Sequence, residues 1–123
     1  MILYKKYFFD GAHYMPNFPE GHPYREVHGH SYEMILHIEG KVKQNEGWIT
    51  DFKKIDGIVN AVIKIIDHKL LNEVDGLKIP TSENIAIWFW DRLKPSLPNI
   101  KKVEISRPRI GGCIYTCLLY TSP

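Results

Sequence analysis

Histidines are the residues of this sequence whose spacing is best suited to chemistry. His28 and His30 flank a single glycine, and His13 precedes them in the chain. Residues two apart in an extended segment point to the same side, so both imidazoles can reach one ion. If the strands that carry His13 and His28 are antiparallel neighbours, the loop between them brings His13 to the same end. Three imidazole ligands leave a fourth position open, as in catalytic zinc sites.

A His-x-His pair is a short motif, and the alternative is that these are hydrogen-bonded or surface histidines. His22 lies in a loop rich in Pro and Gly, and His37 lies on the solvent-facing parity of its strand. Both are therefore interpreted as non-ligands.

Two strands must position the histidines. Residues 4–13 are predicted to be extended, and residues 30–43 alternate between apolar and polar side chains, which predicts a half-buried strand. The residues of one parity in the second strand are His30, Tyr32, Met34, Leu36, Ile38 and Val42. Residues 15–24 contain several Pro and Gly and are predicted to form a loop.

Two helices and two further strands follow. Apolar residues recur every three or four positions after Asp51, a helix cap, as far as Asp67. The second helix begins with Thr81 or Ser82 as its cap and stops before Pro95. Residues 100–107 and 113–120 are predicted strands. The order ββααββ predicts one α+β domain over residues 1–123, with an antiparallel four-stranded sheet and two helices on one face.

Composition excludes several classes of protein. The 123 residues carry 16 Lys+Arg against 14 Asp+Glu, a net charge of +2, with no long basic run, so nucleic acid is not expected as a partner. No window approaches the roughly 18 to 20 apolar residues of a membrane span. The start does not resemble a signal peptide, and two cysteines are too few for a disulfide framework. We expect a cytoplasmic protein with reduced thiols and no membrane partner.

Seven short motifs occur in order along the chain: FDGAH (9–13), EGH (20–22), HGHSY (28–32), GWITDF (47–52), DHKLLN (67–72), PTSEN (80–84) and GCIY (112–115). Together they resemble the 6-pyruvoyltetrahydropterin and 6-carboxytetrahydropterin synthases of the tunnelling fold. The EGH and GCIY motifs are most similar to the bacterial 6-carboxytetrahydropterin branch, which serves 7-deazaguanine and queuosine synthesis.

The resemblance implies a zinc-dependent lyase that acts on 7,8-dihydroneopterin triphosphate. It implies homo-oligomeric β-barrels, trimers or hexamers, with active sites between subunits. The residues that match the family's functional positions are His13, His28 and His30 as Zn²⁺ ligands, Asp67 and His68 as the proton-transferring pair, and Glu83 with Thr81 at the pterin. Without the resemblance, Asp67-His68 is an ordinary helix end and Glu83 an ordinary first-turn acid.

Two positions depart from the family. The family's catalytic cysteine, four residues before HGH, is Tyr24 here, and a glutamate that some members carry at the next position is Arg25. Glu26 is one residue displaced, which reverses its face unless the loop is irregular. Arg107 stands where the family has a pterin-binding glutamate, and a guanidinium has no acceptor.

Three hypotheses follow from these departures. The first is a pterin lyase in which Tyr24 or Glu26 replaces the cysteine. The second is a diverged zinc enzyme whose substrate is anionic and pairs with Arg107, and with Arg109 as a second candidate. The third is a non-enzymatic binding module that zinc stabilises. Cys113 has two possible roles, a part in the functional site or simple packing in the core.

Overall fold

The computed structural model describes residues 1–117 and forms a five-stranded sheet with two helices on one side. The strands are β1 (Ile2–His13), β2 (His28–Glu39), β3 (Lys69–Leu70), β4 (Ile100–Arg107) and β5 (Gly111–Tyr115), and the helices are α1 (Phe52–Ile66) and α2 (Ser82–Leu93). The strand order is β3-β1-β2-β4-β5. The α+β class with two helices is as predicted.

Alternation along the strands separates two faces of the sheet. In β1 and β2 the buried residues Tyr7, Phe9, Tyr32, Met34, Leu36 and Ile38 face the helices. In β4, Val103 and Ile105 are on the same side and fully buried. We refer to this side as the helix-facing side and to the opposite side, which the two helices do not cover, as the open side. Because side chains alternate, each odd residue at the end of β1 and each even residue at the start of β2 belongs to the helix-facing side.

Both helices are amphipathic and begin at the predicted caps. The Asp51 carboxylate accepts a hydrogen bond from Lys53 N at 3.0 Å, and Thr81 Oγ1 accepts one from Asn84 N at 3.1 Å. These caps satisfy amide groups that have no partner within the helix. The helices bury the following residues against the sheet: Ile55, Val59, Ile63 and Ile66 from α1, and Ile85, Ala86, Trp88, Phe89, Trp90 and Leu93 from α2.

Three features differ from the predicted elements. The two-residue strand β3 is parallel to β1, so the sheet is mixed and five-stranded. It forms because the chain leaves α1 along the edge of β1, where His68 N donates to Asp10 O at 2.7 Å. β2 ends at Glu39, and Val42 lies beyond it with 45% of its surface exposed. β5 begins at Gly111, and the predicted strand residues 118–120 lie outside the described residues.

No helix within residues 1–117 is long and apolar enough to cross a membrane.

Candidate functional site

The three predicted metal ligands lie together where β1 ends and β2 begins. His13 is directly opposite His28 in the antiparallel register, and His30 is opposite Gly11. All three side chains are on the helix-facing side, and their ligand nitrogens lie within 4.8 Å of one another. We call His13, His28 and His30 the histidine cluster. The two-strand geometry that the spacing predicted is confirmed.

Backbone carbonyls fix the tautomers of two of these rings. His13 Nδ1 donates to Pro80 O at 2.9 Å, and His28 Nδ1 donates to Glu26 O at 2.8 Å. A neutral imidazole that donates from Nδ1 has a lone pair on Nε2. The Nε2 atoms of His13 and His28 are 3.0 Å apart, so two lone pairs face each other. Such a contact is repulsive unless a cation lies at it.

The third ring, that of His30, contacts a side chain instead of a backbone carbonyl. Arg107 Nη1 lies 3.1 Å from His30 Nε2, and because a guanidinium only donates, His30 Nε2 accepts. Burial lowers the pKa of His13; burial and then the charge of Arg107 lower the pKa of His30 to about 4. The neutral forms that bind metals are therefore favoured.

The donor set of the histidine cluster fits zinc. Zn²⁺ binds imidazole at about 2.0–2.1 Å, and tetrahedral geometry then separates ligand nitrogens by about 3.3 Å. The observed 3.0 Å between His13 Nε2 and His28 Nε2 is close to that separation. The carbonyl groups of Pro80 and Glu26 orient the rings of His13 and His28, as outer hydrogen-bond partners do in known metal sites.

The histidine cluster opens into a cavity of about 700 Å³. Its walls are the loop before β2, the start of α2 and the end of β4. The lining residues are His13, Met15, Asn17, Phe18, Pro23, Tyr24, Glu26, Val27, His28, His30, Tyr32, Thr81, Ser82, Glu83 and Arg107. Seven of the nine predicted site residues are in this list, and a volume of this size accommodates a small-molecule ligand.

The loop before β2 presents Tyr24 and Glu26 to the same cavity. Residues 23–25 form one turn of 3₁₀ helix, and the turn is held because Tyr24 N donates to His22 Nδ1 at 3.1 Å. Arg25 donates to Phe18 O at 2.9 Å and braces the loop rather than lining the cavity. In a regular strand, the one-residue displacement would place Glu26 on the opposite face from the family's catalytic position. Residues 23–25 are not a strand, and Glu26 lines the cavity.

The start of α2 forms the opposite wall. Thr81 is at once the helix cap and a lining residue, and Glu83 in the first turn also lines the cavity. Burial and the neighbouring Glu83 carboxylate raise the pKa of the Cys113 thiol. This thiol packs at the edge of the core and stays protonated. Of the two roles considered for Cys113, these observations favour simple packing.

Asp67 and His68 lie elsewhere. His68 lines a second groove with Asp10 and Lys69, and its side chain is 75% exposed. His30 is a lining residue of both this groove and the cavity. Neither Asp67 nor His68 lines the cavity of the histidine cluster. Within one chain, therefore, the three residues predicted as catalytic, Tyr24, Asp67 and His68, do not share a cavity.

Asp10 organises this second group, and the sequence reasoning missed it. Asp67 Oδ1 accepts from His68 Nδ1 and from Asp10 N, both at 2.9 Å. Partial burial opposes ionisation of Asp67, but the hydrogen bonds from Asp10 and His68 hold the pKa of its carboxyl below the ordinary value. His68 has a positive φ of 58°, held by its hydrogen bond to Asp10 O. The missing signal was β3, which is too short to predict from alternation.

The last missed pair lies on the open side of the sheet. His37 on β2 contacts the Glu104 carboxylate on β4. As predicted, His37 lies on the opposite side of β2 from the histidine cluster. The pairing of β2 with β4 places it beside Glu104. Glu104 cannot face the cavity, because Arg107, three residues along the strand, does.

Comparisons with known proteins agree with this architecture. Residues 2–117 match the family model described as 6-pyruvoyl tetrahydropterin synthase. The chain is 34% identical to a dihydroneopterin monophosphate aldolase of Pyrococcus furiosus, over 84% of this chain and 82% of that protein. It is also 34% identical to a 6-carboxy-5,6,7,8-tetrahydropterin synthase of Synechocystis, over 85% of this chain and 84% of that protein.

Among solved structures, the 6-pyruvoyl tetrahydropterin synthase of Caenorhabditis elegans superposes with a TM-score of 0.84 and 24% identity. The alignment covers 94% of each chain. This likeness shows that the two chains share the tunnelling fold.

Proposed function

Because the chain belongs to the 6-pyruvoyl tetrahydropterin synthase family, we propose that it is a zinc-dependent lyase acting on the side chain of 7,8-dihydroneopterin triphosphate. The observation that carries the proposal is the convergence of three imidazole rings in a cavity that Tyr24 and Glu26 also line. The Nε2 atoms of His13 and His28 face each other, and Nε2 of His30 accepts from Arg107. A ligand in this cavity meets a metal-binding cluster and two groups that can transfer protons.

His13, His28 and His30 would hold the zinc ion. When bound, zinc supplies Lewis-acid chemistry, which acidifies the hydroxyl groups of a ligand. A carboxylate accepts hydrogen bonds, whereas a phenol can also donate one. Glu26 would serve as the proton acceptor in the cavity and Tyr24 as the donor. Glu83 is the acceptor in the cavity wall for donor groups of a pterin ring.

Asp67 and His68 would serve the cavity of a neighbouring copy. Residues 2–10 of β1 form one edge of the sheet, since only Gly11 and Ala12 pair with β3, and β5 forms the other edge. Unpaired strand edges can add strands from further copies. A homo-oligomeric barrel, a trimer or hexamer, would join these edges and bring the exposed His68 to another subunit. The Asp67 carboxylate orients the His68 ring for proton transfer.

A second candidate function is aldol cleavage of the side chain of a dihydroneopterin monophosphate. It is favoured by the similarity to the Pyrococcus furiosus aldolase and by the absence of the family's cysteine at Tyr24. Breaking the bond between the first two side-chain carbons leaves a hydroxymethyl pterin and a two-carbon aldehyde phosphate. The same proton-transferring groups serve both reactions, so the product distinguishes them.

The test is product analysis by mass-resolved chromatography after incubation of the zinc-loaded protein with each phosphate ester in turn. A 6-carboxy or 6-pyruvoyl product from the triphosphate supports the synthase, and a hydroxymethyl product from the monophosphate supports the aldolase. Unchanged substrates, with zinc measured on the protein, would contradict both and favour a diverged homologue or a binding module.

Two substitutions separate the roles of the loop residues. Glu26→Gln should lower turnover by about 10²–10⁴-fold if this carboxylate accepts a proton. Glu20→Gln, an exposed change in the same loop and outside the cavity lining, is the matched control. Tyr24→Cys should raise turnover if Tyr24 occupies the catalytic position, and no gain in a protein that still binds substrate would count against that placement.

A further inference from the structure

Arg107 is a cation built into the wall of the cavity. It is the last residue of β4, on the helix-facing side, and Nη1 contacts His30 Nε2 at 3.1 Å. Among residues 1–117, no Asp or Glu side chain lies within ion-pair distance of the guanidinium. Its positive charge is therefore not neutralised by the described part of the chain.

The guanidinium also has an unused donor. Arg107 Nε is buried and has no hydrogen-bond partner among the described residues. A buried donor without an acceptor is destabilising, and native proteins rarely leave one unpaired. The contact with His30 satisfies only one of the five N–H groups of an arginine. The remaining N–H groups of the guanidinium can therefore donate to an acceptor in the cavity that Arg107 lines.

The charge next to the histidine cluster has a consequence for metal binding. A divalent ion held by His13, His28 and His30 would displace Arg107 Nη1 from His30 Nε2 and lie close to the guanidinium, which repels it. An oxyanion bound by both would offset this repulsion, because guanidinium groups bind phosphoryl and carboxylate oxygens through paired N–H donors.

We propose that Arg107 and the metal of the histidine cluster together bind an oxyanion, the phosphoryl or carboxylate group of a ligand, and that metal and oxyanion bind cooperatively. The proposal rests on the histidine cluster holding a metal, as in the proposed function. Cooperativity is reciprocal: the oxyanion raises the affinity for the metal by the same factor as the metal raises the affinity for the oxyanion.

The experiment measures the affinity of the full chain for Co²⁺ by its visible absorption, alone and with saturating methylphosphonate or acetate. We expect at least one of the two anions to raise Co²⁺ affinity by about tenfold or more. An effect of methylphosphonate alone identifies a phosphoryl group as the preferred oxyanion, and an effect of acetate alone identifies a carboxylate. No effect of either anion overturns the proposal.

Arg107→Met removes the charge at similar side-chain length. It should bind Co²⁺ about tenfold more tightly than the wild type without an anion, and the effect of the anion should fall below about twofold. Arg107→Lys keeps the charge but not the paired donors. Its Co²⁺ affinity without an anion should stay close to that of the wild type, and the anion should raise this affinity less than it does in the wild type. Circular dichroism and thermal unfolding establish that each variant is folded.

Lys101→Met is the matched control, because Lys101 is a cation at the opposite end of β4. It should leave both affinities unchanged. Equal Co²⁺ binding and equal anion effects in the wild type and Arg107→Met would overturn the proposal, even if pterin turnover is found. Absence of Co²⁺ binding in the wild type would overturn both the joint site and the metal site of the proposed function.

Discussion

The histidine cluster and the group of Asp10, Asp67 and His68 contain similar residue types in opposite settings. The cluster lies on the helix-facing side of the sheet, and His13 is only 7% exposed. The Asp10 group lies at the sheet edge, and the His68 side chain is 75% exposed. In the cluster, backbone carbonyls orient His13 and His28; in the second group, the Asp67 carboxylate orients the ring.

This difference in burial is the basis on which the proposed function assigns different tasks to the two groups of histidines. Burial lowers the pKa of His13, and burial with the charge of Arg107 lowers the pKa of His30, so the neutral forms that suit a metal ion are favoured. An exposed ring that a carboxylate orients is accessible to solvent and to a ligand, which suits it to acid–base work. An exposed ring also needs a second surface to form an enclosed site.

The largest expected effect comes from removing a ligand of the cluster. His28→Ala should abolish stoichiometric zinc binding and weaken metal affinity by at least about a hundredfold, since even the loss of an outer partner costs up to that much. Metal analysis of purified protein measures it. His37→Ala, on the same strand but on the open side, should retain zinc. Full zinc occupancy in His28→Ala would show that the cluster is not the metal site.

The next effect concerns the second group. His68→Gln should lower turnover of whichever phosphate ester the product analysis shows to be the substrate by about 10²–10⁴-fold. It should leave the zinc content unchanged. Loss of zinc in this variant would contradict the separation of the two regions.

Subunit mixing sharpens the same contrast. His28→Ala and His68→Gln, each inactive alone, should regain activity when refolded together, because a mixed oligomer pairs an intact histidine cluster with an intact Asp67–His68 pair of another copy. Active-site titration and turnover measure the recovery. Mixed oligomers without recovered activity would mean that both regions must belong to one chain.

A smaller effect separates the two faces of the strands. A Cβ at Gly11 would lie 2.9 Å from Leu71 Cδ2, whereas the nearest atom to a Cβ at Gly29 is 3.7 Å away. Gly11→Ala should therefore lower the free energy of unfolding by about 1–3 kcal/mol through overpacking. Gly29→Ala should change it by less than about 1 kcal/mol. Chemical denaturation compares the two, and equal losses would contradict the assignment of the faces.

The smallest effect is a pH dependence at Asp67. Its folded-state pKa lies below the ordinary value of 3.8, so its contribution to stability is present above that pH and is lost as the pH falls through the folded-state pKa. The thermal stability difference between wild type and Asp67→Asn should shrink as the pH is lowered from 6 toward 3. A difference that grows on acidification would mean that Asp67 is not held ionised.

Local sequence signals predicted most of the fold. The alternation before Glu39 and the apolar spacing after Asp51 gave the strand and helix types, because burial on one face imposes a period on the sequence. Strand ends were less accurate. Val42 continues the apolar parity but lies past the end of β2, since nothing in the period marks where pairing stops.

The sequence by itself determined which histidines can meet, because a His-x-His pair on a strand shares one side and His13 ends the preceding strand. The antiparallel pairing of these two strands then brings them together. Only the tertiary structure decided where Glu26, Arg107 and Asp10 act. Glu26 follows a 3₁₀ turn and lines the cavity. Arg107 on β4 contacts His30 on the neighbouring strand β2. His68 N, just before β3, donates to Asp10 O. These contacts join segments that are distant in the chain or irregular, and no local period encodes them.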